Sequence, residues 1–246
     1  QYKITFIENG GPTVADITQG YETDITLPTP TWVGYTFGGW YTDDETFANK
    51  FEETKMPLNG ATLYAKWTIN TYTVQFDLNG GNINGATSIS SKTINYNGLV
   101  ANPGDPVKAA TAEYSYAFDG WYYGNNKWDF ANNRVTENIT LTAIWTETAV
   151  EYTIKYLDPS NNNSELFKDD NTVIKNYTIN DLPLDLPEAS KSGYTFDGWT
   201  IDGNGESERI TQINEDNFGI TILYAHWLAN TVTITFDLND GSEPSS

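Results

Sequence analysis

Gly193-Tyr-Thr-Phe-Asp-Gly-Trp199 recurs in the same chain as Gly34-Tyr-Thr-Phe-Gly-Gly-Trp40 and, shortened, as Tyr116-Ala-Phe-Asp-Gly-Trp121. Each version stands between two other recurring blocks. Upstream lie Tyr2-Lys-Ile-Thr-Phe6, Tyr72-Thr-Val-Gln-Phe76 and Tyr152-Thr-Ile-Lys-Tyr156, with a fourth copy at Val232-Thr-Ile-Thr-Phe236. Downstream lie Leu63-Tyr-Ala-Lys-Trp67, Leu141-Thr-Ala-Ile-Trp145 and Leu223-Tyr-Ala-His-Trp227. The upstream blocks start 70, 80 and 80 residues apart. Repetition on this scale overrides the one or two domains that 246 residues would otherwise suggest. It divides the chain into module 1 (1–69), module 2 (70–149), module 3 (150–229) and, at 230–246, the first strand of an incomplete fourth.

The blocks read as strands. In the first, Tyr, Ile or Val, and Phe alternate with Lys, Thr and Gln, the period of a half-buried strand. Asn79-Gly80 and Asn239-Asp-Gly241 supply turn chemistry after it. In the third block Leu, Ala and Trp share one face. The middle block is irregular, because Phe37 and Trp40 are three apart and a regular strand would send them to opposite faces. A bulge at the glycine before each Trp (Gly39, Gly120, Gly198) would return Phe37, Phe118 and Phe196 to the face of Trp40, Trp121 and Trp199. Further β-like runs fall at 14–17, 88–96 and 172–179, each followed by a Pro-containing connector. Short helical turns are expected at 46–50, 130–134 and 212–217. For module 2 the predicted core is Tyr72, Val74, Phe76, Phe118, Trp121, Leu141, Ala143 and Trp145.

Thirty-three acidic against thirteen basic residues give a formal charge of −20, which opposes nucleic acid and anionic membranes. There is no Cys for disulfides or thiolate metal sites. No apolar run approaches the roughly 18 residues of a membrane span, so no membrane insertion is expected. Only four residues separate Trp67 from Tyr72, six separate Trp145 from Tyr152, and four separate Trp227 from Val232. Such joints are too short to act as flexible coils, so an extended and fairly stiff array is expected, bending most at 146–151.

These aromatic–glycine blocks, with Lys127-Trp-Asp-Phe130 in module 2, resemble the Listeria–Bacteroides repeat, the family that includes the B-repeat of internalin B. Module 2 departs from the pattern at Ser115, and module 3 lacks the Lys-Trp-Asp-Phe element. The resemblance implies a mainly β, small α+β fold with little helix, related to the β-grasp (ubiquitin-like) modules strung along secreted or wall-attached bacterial proteins. An extracellular location, at the bacterial cell surface or cell wall, follows from it as an expectation.

Chemistry finds little support. The single histidine, His226, takes the place of Lys66 and Ile144 on an outward face and reads as a spectator; no phosphate loop or dinucleotide fingerprint is present. The acidic groups Asp43-Asp-Glu45, Asp169-Asp170 and Glu215-Asp216 lack the spacing of an EF-hand and read as solvated loops. No catalytic, metal or cofactor-binding residue is assigned. Six of the eight tryptophans (Trp40, Trp67, Trp121, Trp145, Trp199, Trp227) hold equivalent positions and read as packing, since small domains without disulfides need such bulk. Trp128 matches the family motif and reads the same way, whereas Trp32, in a Pro-flanked connector, is the residue most suited to touch a ligand. The expected function is a non-catalytic stalk, spacer or fibre-forming array, with adhesion to a glycan or host protein through variable loops as the alternative. The expected partners are neighbouring modules and, through strand addition by 232–236, other copies of the chain. The other expectation for that segment is packing against module 3.

Overall fold

The computed structural model describes residues 1–236, so the turn expected at Asn239-Asp-Gly241 lies outside the described residues. Module 1 contains β1 (Tyr2–Ile7), β2 (Ile17–Gln19), β3 (Tyr35–Tyr41) and β4 (Ala61–Ile69). Module 2 contains β5 (Thr71–Asp77), β6 (Lys92–Asn95), β7 (Tyr114–Tyr123), β8 (Asn126–Lys127) and β9 (Ile139–Ala149). In module 3 the strands are shorter: β10 (Tyr152–Thr153), β11 (Lys155–Asp158), β12 (Ser164–Leu166), β13 (Asn176–Tyr177), β14 (Leu184–Asp185), β15 (Tyr194–Thr200), β16 (Gln212–Ile213) and β17 (Ile222–Ala229).

One topology is repeated. The sheet orders are β2-β1-β4-β3, β6-β5-β9-β7-β8 and β12-β11-β17-β15. In each, a strand of the first block (β1, β5 and, in module 3, β11) runs parallel to the last strand, as Phe6 opposite Leu63, Phe76 opposite Leu141 and Tyr156 opposite Leu223 show, while the short β10 pairs antiparallel with β13. A parallel pair needs a long crossover, and the connectors and middle strands supply it. The fold is mainly β, and no α-helix is present among the described residues. Of the three expected helical turns, the last appears as a 3-10 turn at Glu215–Asn217 capped by Asn214, and the middle one as a single turn in which the Asp129 carbonyl accepts from the Asn133 N–H (2.8 Å).

The second strands fall later or are shorter than expected. In module 1 the ladder gives way at Asp16, whose carboxylate accepts from the Phe6 N–H (3.1 Å) in place of a backbone carbonyl. The strand therefore starts only at Ile17. Residues 231–236 form no strand, and Val232, Ile234 and Phe236 are exposed, so packing of this segment against module 3 is not observed.

Each module has its own core. The clusters centre on Ile4, Trp40 and Leu63; on Val74, Trp121 and Leu141; and on Ile154, Trp199 and Leu223. Compact units do not follow the repeat boundaries: residues 1–108 with 117–146 form one, and residues 109–116 with the chain from Glu147 form the other.

Candidate functional site

The middle block shows how two aromatics three residues apart reach one core. Phe37 opposes Trp67, but Gly39 opposes Lys66 and Trp40 opposes Ala65, so β3 spends one more residue than β4. Phe37 and Trp40 thereby face residues 67 and 65, which share a side of their strand. β15 repeats the shift between Phe196 and Gly198, and Trp199 opposes Ala225. Gly39 and Gly198 carry the bulge with φ of 113° and 114°, where a side chain is strained. Gly120 has no positive φ; a Cβ there would instead strike the Lys127 side chain. Alanine opposite Trp40 and Trp199 leaves room for the indole.

The result is one aromatic chain built three times. Phe6, Phe76 and Tyr156 lie 4.5, 5.3 and 4.9 Å from Trp40, Trp121 and Trp199 between ring centres. Phe37, Phe118 and Phe196 then bridge those tryptophans to Trp67, Trp145 and Trp227. Trp40, Trp121 and Trp199 are buried, and each indole N–H donates to a carbonyl of its connector, at Pro28, Gly104 or Pro187. These bonds give the Pro-containing connectors a purpose, because a buried N–H without an acceptor is costly.

Trp67, Trp145 and Trp227 are half-buried and hold the turn after the first strand. Trp67 donates to the Glu8 carbonyl (2.8 Å) and Trp145 to that of Asn79 (3.1 Å). Asn9-Gly10 and Asn79-Gly80 both take positive φ at the two central positions, as a tight hairpin turn requires. The next glycine serves a different purpose: a Cβ on Gly11 or Gly81 would stand 2.6 or 2.5 Å from the Trp67 or Trp145 ring.

Module 3 has no Asn-Gly turn here; its positive-φ pair is Asn162-Asn163, after a 3-10 turn at Pro159–Asn161. Trp227 donates instead to Asp158 Oδ1 (3.0 Å), which also accepts from Ser160, while Asp158 Oδ2 pairs with Lys191 Nζ (3.0 Å). Asp158 is buried. Burial acts to raise its carboxyl pKa, but the bonds from Ser160, Lys191 and Trp227 outweigh it and hold the group below its ordinary value. Lys191 also sits over the Trp227 ring at 5.4 Å.

Trp32 occupies the corresponding position in module 1: the N–H of Tyr35 donates to the Trp32 carbonyl as that of Tyr194 does to Lys191. Its ring is half-buried, stacked on Tyr35 at 3.8 Å and edge-on to Trp67 at 5.5 Å. Trp128 is half-buried and packs against the module 2 core.

Within the acidic loops, particular carboxylates bind their own backbone. Asp43 accepts from the N–H groups of Thr46, Phe47, Ala48 and Asn49, and the Thr46 hydroxyl leads in holding its carboxyl down to about 2. Asp170 is bonded by Thr172, and Glu215 and Asp216 lie in the capped 3-10 turn. Among the described residues, no group of three or more His, Cys, Asp or Glu is placed to hold a metal ion. His226 is not the bare spectator expected of it: Nδ1 lies 3.0 Å from Asp197, which also pairs with Arg209.

The arrangement with most bearing on an array lies where module 1 meets module 2. Asn70 alone separates β4 from β5. Its N–H donates to the Gly34 carbonyl (2.9 Å) and its side-chain oxygen accepts from Thr36 Oγ1 (2.7 Å). Its carbonyl accepts from the Tyr96 N–H (2.8 Å). Gly34, at φ 82°, lies under the Tyr96 ring; a Cβ there would be 1.9 Å from it. Thus Gly34 and Thr36 of module 1, Asn70 at the boundary and Tyr96 of module 2 form a single joint. The sequence reading missed these residues. The available signal was Asn at the same place in Ile69-Asn-Thr71 and Ala229-Asn-Thr231.

A model of the Listeria-Bacteroides repeat domain matches residues 2–66, 72–144 and 152–226. The chain belongs to this family, in three tandem copies. Repeats related to these occur in a protein of Evansella cellulosilytica named as a glycine-rich, inferred membrane protein, 35% identical over 99% of this chain and 26% of that protein. Internalin H of Listeria monocytogenes is 39% identical over 59% of this chain and 25% of its own length. The chain thus spans about a quarter of each of these two family relatives. Among solved structures, domains 3–4 of a cell surface protein with streptococcal high identity repeats in tandem align at 17% identity and a TM-score of 0.25, covering 61% of this chain and all of that one.

Proposed function

We propose that this segment is a non-catalytic spacer in a bacterial cell-surface protein, built so that successive repeats are held at a set orientation. The observation that supports it most is the Asn70 joint. It uses three hydrogen bonds and a ring packed on a glycine, where a flexible tether would need none of them. The aromatic chain serves the same end, because it gives each repeat a core without disulfides or metal. The family and the membrane-protein name of one relative support a surface location.

Two experiments test the reading. Protease shaving of intact producing cells is expected to release peptides of this segment; recovery only after lysis would contradict a surface location. A glycan array combined with a thermal-shift screen of host proteins is expected to show no selective, saturable binding. Such binding would replace the spacer with an adhesive module acting through its variable loops.

A further inference from the structure

The far end of module 3 carries half of the Asn70 joint. The Asn230 N–H donates to the Gly193 carbonyl at 2.9 Å, and its side-chain oxygen accepts from Thr195 Oγ1 at 2.7 Å. These are the distances and partners of Asn70 with Gly34 and Thr36. Gly193 has φ 79°, close to the 82° of Gly34. The other half has no counterpart among the described residues. No N–H reaches the Asn230 carbonyl, and nothing lies within 4 Å of a Cβ built on Gly193, where at Gly34 the Tyr96 ring leaves no room.

Module 1 carries the complementary half on its leading edge. Tyr2 opposes Gln19 as Tyr72 opposes Ile94, which places Tyr21 at the position of Tyr96. Tyr21 and Tyr2 meet edge-on at 6.4 Å, the centroid distance of Tyr96 and Tyr72. Tyr21 is 52% exposed. The ring thus belongs to the leading edge of modules 1 and 2 and the glycine–asparagine seat to the trailing edge of modules 1 and 3; Ser115 and Val150 replace the seat in module 2, and Ile179 stands at the ring position in module 3.

We infer that Gly193, Thr195 and Asn230 form a docking seat for a further repeat continuing from Asn230, whose second strand places an aromatic ring on Gly193 and donates an N–H to the Asn230 carbonyl. The sequence after Asn230 fits this occupant, since Val232-Thr-Ile-Thr-Phe236 repeats Tyr72-Thr-Val-Gln-Phe76 at the same spacing from the asparagine. It also accounts for the unpaired state of residues 231–236: the second strand that pairs with β5 in module 2 has no counterpart beside them. A second copy fits the seat less well. Its residue Gln1 would need the place that Thr231 already takes, because Gln1 corresponds to Thr71. The inference rests on the spacer reading and adds the geometry of its continuation.

The test extends the whole chain by replacing residues 231–246 with a second copy of residues 71–149, so that Tyr96 arrives at Gly193. Residual dipolar couplings are then measured for all four repeats. The appended repeat and module 3 are expected to share one alignment tensor, and modules 1 and 2 another. Gly193→Asn, which tolerates positive φ but adds a Cβ under the ring, should abolish that shared alignment while leaving the melting of the 246-residue chain unchanged. Separate tensors with Gly193 intact, or a shared tensor that survives Gly193→Asn, would overturn the inference. If modules 1 and 2 also tumble apart, the spacer reading fails with it; if they stay together, only the seat fails.

Discussion

Gly81 lies beneath the ring of Trp145, with no space between them for a methyl group: a Cβ on Gly81 would stand 2.5 Å from the indole. Its φ is not positive, so backbone strain plays no part. Gly81→Ala is therefore expected to push Trp145 off the Asn79 carbonyl and to cost module 2 about 1–3 kcal/mol, the usual range for overpacking. Denaturant melts followed by module 2 amide signals check this. An unchanged midpoint would show that the ring moves freely.

Trp121 is the largest buried side chain of its core, with Phe76 and Phe118 at its edges and its N–H on Gly104. Trp121→Ala should cost about 3–5 kcal/mol, enough to unfold a small domain of ordinary stability. Because module 3 has a separate core around Trp199, its amide signals are expected to remain dispersed in this variant. Collapse of both sets together would mean that the cores are not independent.

Asp158 gives module 3 an acid sensitivity that the Asn-Gly turns of modules 1 and 2 do not share. Its folded pKa lies below its unfolded value. The stabilisation is thus complete above an unfolded pKa of about 4 and is lost as pH falls through the folded value. Asp158→Ala leaves the Trp227 N–H without its acceptor and Lys191 without its counter-ion. At pH 7 it should cost about 2–3 kcal/mol, the range for a charge-assisted bond to a buried group. Acid titration of module 3 stability should also flatten, and an equally steep acid limb in the variant would assign the sensitivity to other carboxylates.

Much of this architecture was legible in local patterns. The alternation of Leu63 and Ala65 with Tyr64 and Lys66 gives the buried face of β4 directly, and the odd spacing of Phe37 and Trp40 pointed to the bulge that Gly39 carries. What escaped the sequence depends on partners far along the chain. Gly34 looks like any turn glycine until Tyr96 is placed on it, and Asn70 looks like a linker residue until Gly34, Thr36 and Tyr96 converge on it. Asp158-Pro159 reads locally as a turn start. That its carboxylate is buried against Trp227 and Lys191 follows only from the parallel pairing of β11 with β17 and from the position of Lys191 ahead of β15.

The proposed function turns on modules 1 and 2 being locked to one another, and their joint tests it most directly. The absence of cysteine lets Glu53→Cys in module 1 and Thr87→Cys in module 2 carry the only two spin labels, both at exposed positions. Pulsed electron double resonance is expected to give one narrow distance distribution for this pair. Adding Gly34→Asn, which tolerates the backbone but forces a Cβ into the Tyr96 ring, should broaden it severalfold. A broad distribution in the unaltered joint, or one that Gly34→Asn leaves as narrow as before, would contradict the account.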